Sequence, residues 1–298
     1  MSDSTVVLTY GPSGVGKTTD QGYSFPRGLF AAAPGALTSL KQVCGYIPAK
    51  VDIKTIEEAT TLLREVKGKY RWMIIDDFSF MAEQTFGRLE RTHNGFKLWG
   101  ALRETMLRFR DAARYAEVNV VMNAWEQAPR LDHKKNQVRG GPMLSGRLPE
   151  QVPAMSDLVM RACYDPSRSP WPAVYRCYLD PAWAMKDRFN VAIRCDPAPM
   201  NLGEILRASG VTVERHPDLP EQEAWVEKLC AKFSELETAE LASTVNAVYA
   251  GFIEKGMPET AARWTLRDAL DRMTIRKALT VSRTTFWPQS DQGSSLLA

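Results

Sequence analysis

Residues 11–18 read Gly-Pro-Ser-Gly-Val-Gly-Lys-Thr and follow an apolar, β-like run, Thr5 to Tyr10. A strand that delivers a glycine-rich turn and then a helix is the setting in which such an octet cradles phosphate. Gly11, Gly14 and Gly16 let the backbone turn tightly, so that its N–H groups face phosphate oxygens. The positive end of the following helix adds to the attraction. Gly11, Pro12, Ser13, Gly14, Val15, Gly16, Lys17, Thr18 and Thr19 are therefore the candidate nucleotide contacts. Lys17 is the cation for the β- and γ-phosphates, and the Thr18 hydroxyl is placed to ligate Mg²⁺.

A second segment agrees. Tyr70 to Asp77 is a short hydrophobic run ending in two acids. An apolar run of this kind reads as a buried parallel strand, and ligands gather at the carboxyl ends of such strands. Asp76 is assigned to the Mg²⁺ shell, and Asp77 is a candidate to orient or activate the attacking water. The plain alternative for Asp-Asp at a strand end is a turn cap. A third strand, Val118 to Ala124, ends in Asn123, followed by Glu126. Asn123 is the candidate γ-phosphate sensor, and Glu126 is a second candidate base.

Composition narrows the class. The chain has 298 residues, 44% hydrophobic and 24% charged, as in ordinary globular proteins. A net charge of +3 neither demands nor excludes nucleic acid. No run approaches the roughly 18 apolar residues of a membrane span, and no leader pattern opens the chain. Five cysteines without a Cys-x-x-Cys pair read as reduced thiols of a cytoplasmic protein. Three scattered histidines argue against a transition-metal site.

Along the chain, strand-like and helix-like runs alternate, which argues for a mostly parallel sheet covered by helices. Gly28 to Ala33 and Val51 to Ile53 read as strands. Thr55-Ile56-Glu57-Glu58 opens a helix with a capping box, and Phe96 to Ala116 is a longer amphipathic helix. Gln127 to Pro149 sets five cations (Arg130, Lys134, Lys135, Arg139, Arg147) against one acid, Asp132, and reads as a mobile basic loop. Leu158–Cys163, Val174–Leu179 and Trp183–Met185 read as antiparallel additions to the sheet. Beyond Asp196–Pro199 the chain turns helical, with one run from Glu221 to Lys255 and another near Glu259 to Ala278. Residues 289–298 look frayed. The division expected is a nucleotide-binding domain over 1–205 and a helical region over 206–298.

The order of these features, with Gly146-Arg147-Leu148-Pro149 and then Met185-Lys186-Asp187-Arg188, resembles phage-encoded RecA-like ATPases, including the RecA-like branch of phage single-strand annealing proteins. The resemblance covers roughly residues 4–205. It implies an α/β RecA-like core, ATP with Mg²⁺, single-stranded DNA as partner, and a homo-oligomer with ATP at subunit interfaces. It also makes Lys186 and Arg188 the cations that reach a neighbouring subunit's γ-phosphate. Relatives often carry a glutamate at the end of the second strand. Here Ala31-Ala32-Ala33-Pro34-Gly35 has no acid, so either Asp77 or Glu126 takes over or hydrolysis is slow.

Three functional classes follow. The first is an ATPase acting on single-stranded DNA in phage recombination or replication, with Lys134, Lys135 and Arg139 on the strand. The second is a nucleotide-gated loader that binds a protein partner. The third is a nucleotide kinase, since Gly-Pro-Ser-Gly-Val-Gly-Lys is close to the guanylate kinase loop. The kinase reading lacks the Ser-x-x-Thr-Arg substrate segment, and Leu144-Ser145-Gly146-Arg147 lacks what an ABC-type signature requires.

Overall fold

A computed structural model describes residues 4–44, 46–131, 137–168, 172–178, 180–217, 219 and 221–286. The first half alternates strand and helix: β1 (Val6–Tyr10), α1 (Lys17–Ser24), β2 (Leu29–Ala32), α2 (Thr38–Cys44), β3 (Ala49–Asp52) and α3 (Ile56–Glu65). Then come β4 (Trp72–Ile75), α4 (Phe78–Glu90), α5 (Gly95–Tyr115) and β5 (Asn119–Ala124). Four two-residue strands follow: β6 (Glu126–Gln127), β7 (Arg130–Leu131), β8 (Gln137–Val138) and β9 (Gly141–Pro142). The chain continues with α6 (Leu148–Met155), β10 (Leu158–Tyr164), β11 (Ala173–Arg176), β12 (Lys186–Asp187) and β13 (Ala198–Pro199). It ends with α7 (Leu202–Ala208), α8 (Gln222–Ser234), α9 (Thr238–Glu254) and α10 (Glu259–Phe286).

The main sheet has nine strands in the order β13-β11-β10-β1-β5-β4-β2-β3, with β12 also on β10. The six strands from β10 to β3 are mutually parallel, and β11, β12 and β13 are antiparallel additions. Strand β5 lies between β1 and β4, so the three strands that end in site residues stand side by side. This is a mostly parallel, helix-flanked α/β architecture, with helices at the C-terminus.

Alternation along the strands splits the core in two. Val6, Leu8 and Tyr10 face α3, α4 and α5, where Phe78 packs on Phe109. Val7 faces the other side, with Phe30, Ile74 and Val121 under α1, α2 and α7. Period-two side chains on a strand buried on both faces require this division. The Thr55 hydroxyl accepts from Glu58 N at 3.2 Å and caps α3, while Glu58 reaches back to Lys54 N.

Several expectations are corrected. Residues 126–131 and 137–142 are not an unstructured loop: β6 pairs with β9 and β7 with β8 in a nested hairpin. Gly140 makes this possible, because a Cβ there would lie 2.6 Å from the Trp183 ring. Lys134 and Lys135 lie outside the described residues. Strand β10 is parallel to β1 rather than an antiparallel addition, because α6 carries the chain back to the other end of the sheet before it. Prolines 149 and 153 disguise α6, although proline is tolerated in a first helical turn. The last of the three strands is β12, not Trp183–Met185, whose backbone instead bonds Gly140. The run from Glu221 to Lys255 breaks into α8 and α9, which lets both bury Val226, Phe233 and Phe252 against α10. Residues 289–298 lie outside the described residues.

Helix α10 packs on α8 and α9 with one side and on the core with the other, where Trp264 and Ile275 join the Val7 layer. Its Arg267 forms an ion pair with Asp20 of α1 at 2.6 Å. Asp20 also accepts from the Tyr175 hydroxyl at 2.8 Å and from Leu202 N at 3.2 Å. One buried carboxylate thus ties together the phosphate-loop helix, the antiparallel edge, α7 and α10. Breaking such a pair from one side leaves a charge stranded in the interior. Arg267→Met should therefore cost about 3–5 kcal/mol in denaturant unfolding. Adding Asp20→Asn should return much of that loss, since both charges are then gone.

Candidate functional site

The loop from Gly11 to Gly16 leaves the carboxyl end of β1 at the middle of the sheet. A Cβ on Gly11 would sit 2.2 Å from the Ala162 carbonyl of β10, so only glycine passes there. Gly16 has φ 105°, a left-handed conformation that favours glycine. It caps α1 without any side-chain hydrogen bond, so the first N–H groups of α1 remain available to an anion.

Lys17 Nζ donates to the carbonyls of Gly11 at 2.8 Å and Pro12 at 3.0 Å, folded back over its own loop. Burial lowers its pKa, while Asp76, Asp77 and Glu126 act on it in the opposite direction. These acids follow β4 and β5, and their charges partly offset the effect of burial on this ammonium.

Asp76 is the centre of the arrangement. Its Oδ1 accepts from the Thr18 hydroxyl at 2.9 Å and from Asn123 Nδ2 at 2.8 Å. The residue is only 5% exposed, and burial raises its pKa. Asn123 is held in turn by Thr9 and Gln21: Thr9 Oγ1 to Asn123 Oδ1 is 2.6 Å, and Asn123 Nδ2 to Gln21 Oε1 is 2.6 Å. Sequence reading found Thr18, Asp76 and Asn123 but missed Thr9 and Gln21. Thr9 was legible as a polar residue inside an apolar strand, and Gln21 as the next inward position after Thr18 on α1.

Asp77 adopts the left-handed region, with φ 65°, and its Oδ1 accepts from Phe80 N at 3.1 Å. It is the N-cap of α4 and lies beside Lys17. Ser79, two residues on, accepts Trp125 N at 2.9 Å and joins the start of α4 to the hairpin. Glu126 is gripped by Arg161, with Nε to Oε2 at 2.7 Å and Nη2 to Oε1 at 3.2 Å. The Arg161 guanidinium lies 3.7 Å from the centre of the Trp183 ring. Arg139 donates to the Trp183 carbonyl at 2.7 Å, so it is tied to the same wall.

Lys186 and Arg188 stand elsewhere. Lys186 pairs in register with Val159, and its Nζ donates to Ser156 O at 2.6 Å. Arg188 forms an ion pair with Asp157 at 2.8 Å, and Asp157 also holds Arg114 and Val6 N. These groups are at the amino ends of β1 and β10, the end opposite the phosphate loop.

The donor set suits Mg²⁺-nucleotide. Asp76 and Thr18 present hard oxygens, and among the described residues no cation forms an ion pair with Asp76. Lys17 is a cation satisfied only by carbonyls, which phosphate oxygens would replace.

The family model described as an AAA domain matches residues 3–189, well over half of the chain. The chain belongs to that family. No curated protein matches it. Among solved structures it is similar to a KaiC-like protein from the hyperthermophilic archaeon Pyrococcus horikoshii OT3, at 16% identity and a TM-score of 0.37. That alignment covers 58% of this chain and 78% of the other.

Since burial disfavours the ionised Asp76, the folded protein without metal gains stability as pH falls and the carboxylate takes a proton. An amide keeps both accepted hydrogen bonds without the charge. Asp76→Asn should thus raise the melting temperature of the nucleotide-free protein at neutral pH while removing Mg²⁺-dependent nucleotide binding. In the parent protein, loss of Mg²⁺-nucleotide affinity on acidification should begin above the ordinary carboxylate range, read by titration calorimetry.

Proposed function

We propose that this AAA-domain protein is a Mg²⁺-dependent ATPase that acts on single-stranded DNA in phage recombination or replication. It would work in the host cytoplasm as a homo-oligomer with ATP at subunit interfaces. The observation that carries the hydrolytic part is the shared junction of Thr18, Asp76 and Asn123, beside the Lys17 ammonium. The DNA part rests on the basic segment of residues 127–149, whose hairpin starts just beyond the same strand end.

The chain's own groups divide the work. Free N–H groups of the loop and α1 orient the phosphates, and Lys17 turns from its carbonyls to the β- and γ-oxygens. Thr18 and Asp76 would hold Mg²⁺, which would neutralise phosphate charge when bound. Asn123 keeps the Asp76 oxygen aimed at that place and reports its occupancy to Gln21 and Thr9. Asp77, fixed by its cap beside Lys17, and Glu126 are the candidates to orient water. Glu126 serves only after Arg161 lets go, a condition that fits slow turnover. Because Lys186 and Arg188 stand at the far end of the sheet, any role toward a γ-phosphate is in trans.

A loader that binds a protein partner is the second reading. The observation favouring it is the Asp20–Arg267 pair, which joins the phosphate-loop helix to the C-terminal helices.

Lys17→Ala should lose nucleotide binding with the fold intact, by calorimetry and circular dichroism. Single-stranded DNA should stimulate hydrolysis by the parent protein. In the double variant Lys134→Ala, Lys135→Ala, DNA affinity should fall and the log–log salt slope should shrink by roughly 0.7 per lost contact. Stimulation by a protein partner with no effect of DNA would favour the loader instead.

A further inference from the structure

The first turns of α5 leave their aromatic residues in solvent. Phe96 is 97% exposed and Trp99 is 45% exposed. Burying a phenylalanine is worth about 1.5–3 kcal/mol, so the fold gains little from keeping one outside. The two are three residues apart on one helix face, where side chains are neighbours. Trp99 is fixed in place: it packs on Phe86 at 5.3 Å between ring centres, and a Cβ on Gly146 would lie 2.5 Å from its ring. This contact joins α5 to the turn between the basic hairpin and α6.

Cations outnumber acids beside these rings. Residues 90–104 hold three cations (Arg91, Lys97, Arg103) and, at the two ends, two exposed acids, Glu90 and Glu104, of which Glu104 is paired with Arg108. Arg147 stands next to Gly146. All four cations are exposed, and among the described residues none forms an ion pair. An apolar protein partner would not need these unpaired cations. A second copy docking through the same face would set like charges against each other, which is destabilising. A single strand of nucleic acid supplies both complements, phosphates for the cations and unpaired base faces for the rings. A duplex hides those faces in its own stack.

We propose that the Phe96–Trp99 face of α5, flanked by Arg91, Lys97, Arg103 and Arg147, is a base-stacking platform for single-stranded DNA. It provides the aromatic contacts that the basic segment between residues 127 and 149 lacks. The platform rests on the DNA-directed reading above and locates where that strand lies. Phe96 stacks on one base from a freely exposed position, and Trp99, backed by Phe86, holds the next. The cations hold the backbone alongside.

The test is fluorescence anisotropy with a labelled oligothymidylate of about thirty nucleotides, a length that spans more than one usual strand-binding site. Phe96→Ala should weaken binding by about tenfold, the scale of one lost stack, with the salt slope unchanged. Phe96→Tyr should keep the affinity. Arg103→Ala should instead lower the salt slope by roughly 0.7. Melting temperature and DNA-free hydrolysis should stay as in the parent, since Phe96 supports nothing in the fold. Equal affinity of Phe96→Ala and parent would overturn the platform while leaving the DNA-directed reading standing. A parent that binds no strand, with or without ATP, would remove both. Loss of self-association in Phe96→Ala with DNA affinity intact would make the face a contact between copies and also overturn the proposal.

Discussion

One buried carboxylate organises the carboxyl end of the sheet. Asp76 has been carried out of water at the end of β4, and its Oδ1 is satisfied by Thr18 from α1 and Asn123 from β5. A buried anion is tolerated only with such partners. Each donor must therefore be held in place, and Thr9 and Gln21 do this for Asn123. The sheet order, with β5 between β1 and β4, is what brings the three strand ends close enough. The charges of Asp77 and Glu126 at these ends act on Lys17 against the effect of its burial.

A second buried carboxylate does for the periphery what Asp76 does for the centre. Asp20 stands one turn from the phosphate loop and binds Arg267, Tyr175 and Leu202 N. Through Asp20, α1 is bonded directly to both α7 and α10. Around α10 the same ionic logic is repeated: Glu204, almost fully buried, is shared by Arg207, Arg215 and Arg272. The C-terminal helices are joined to the nucleotide end through charge, and to one another through the Val226–Phe252 apolar cluster.

Two links run outward from the site on the other face. Asp77 caps α4 and Ser79 accepts Trp125 N, so the start of α4 and the root of the hairpin are built on the last turn of the nucleotide site. Glu126, at that root, is held by Arg161 against Trp183. A change at Asp77 or Glu126 therefore reaches the hairpin within a few residues.

Local patterns were sufficient for much of this protein. The phosphate octet after an apolar run, the apolar run ending in Asp-Asp, and the alternation of strand and helix determined the α/β core and brought forward Lys17, Thr18, Asp76 and Asn123 as candidates. They did so because each element's signal lies within its own residues. The hairpin, helix α6 and the direction of β10 were not legible, since Pro149 and Pro153 hide a helix and glycines resemble loop until Gly140 meets Trp183. Tertiary structure alone decided the partners: Gln21 and Thr9 with Asn123, Arg161 with Glu126, Arg188 with Asp157, and Arg267 with Asp20 across 247 positions. A charged side chain chooses its partner by distance after folding, and no periodicity in the chain records that choice.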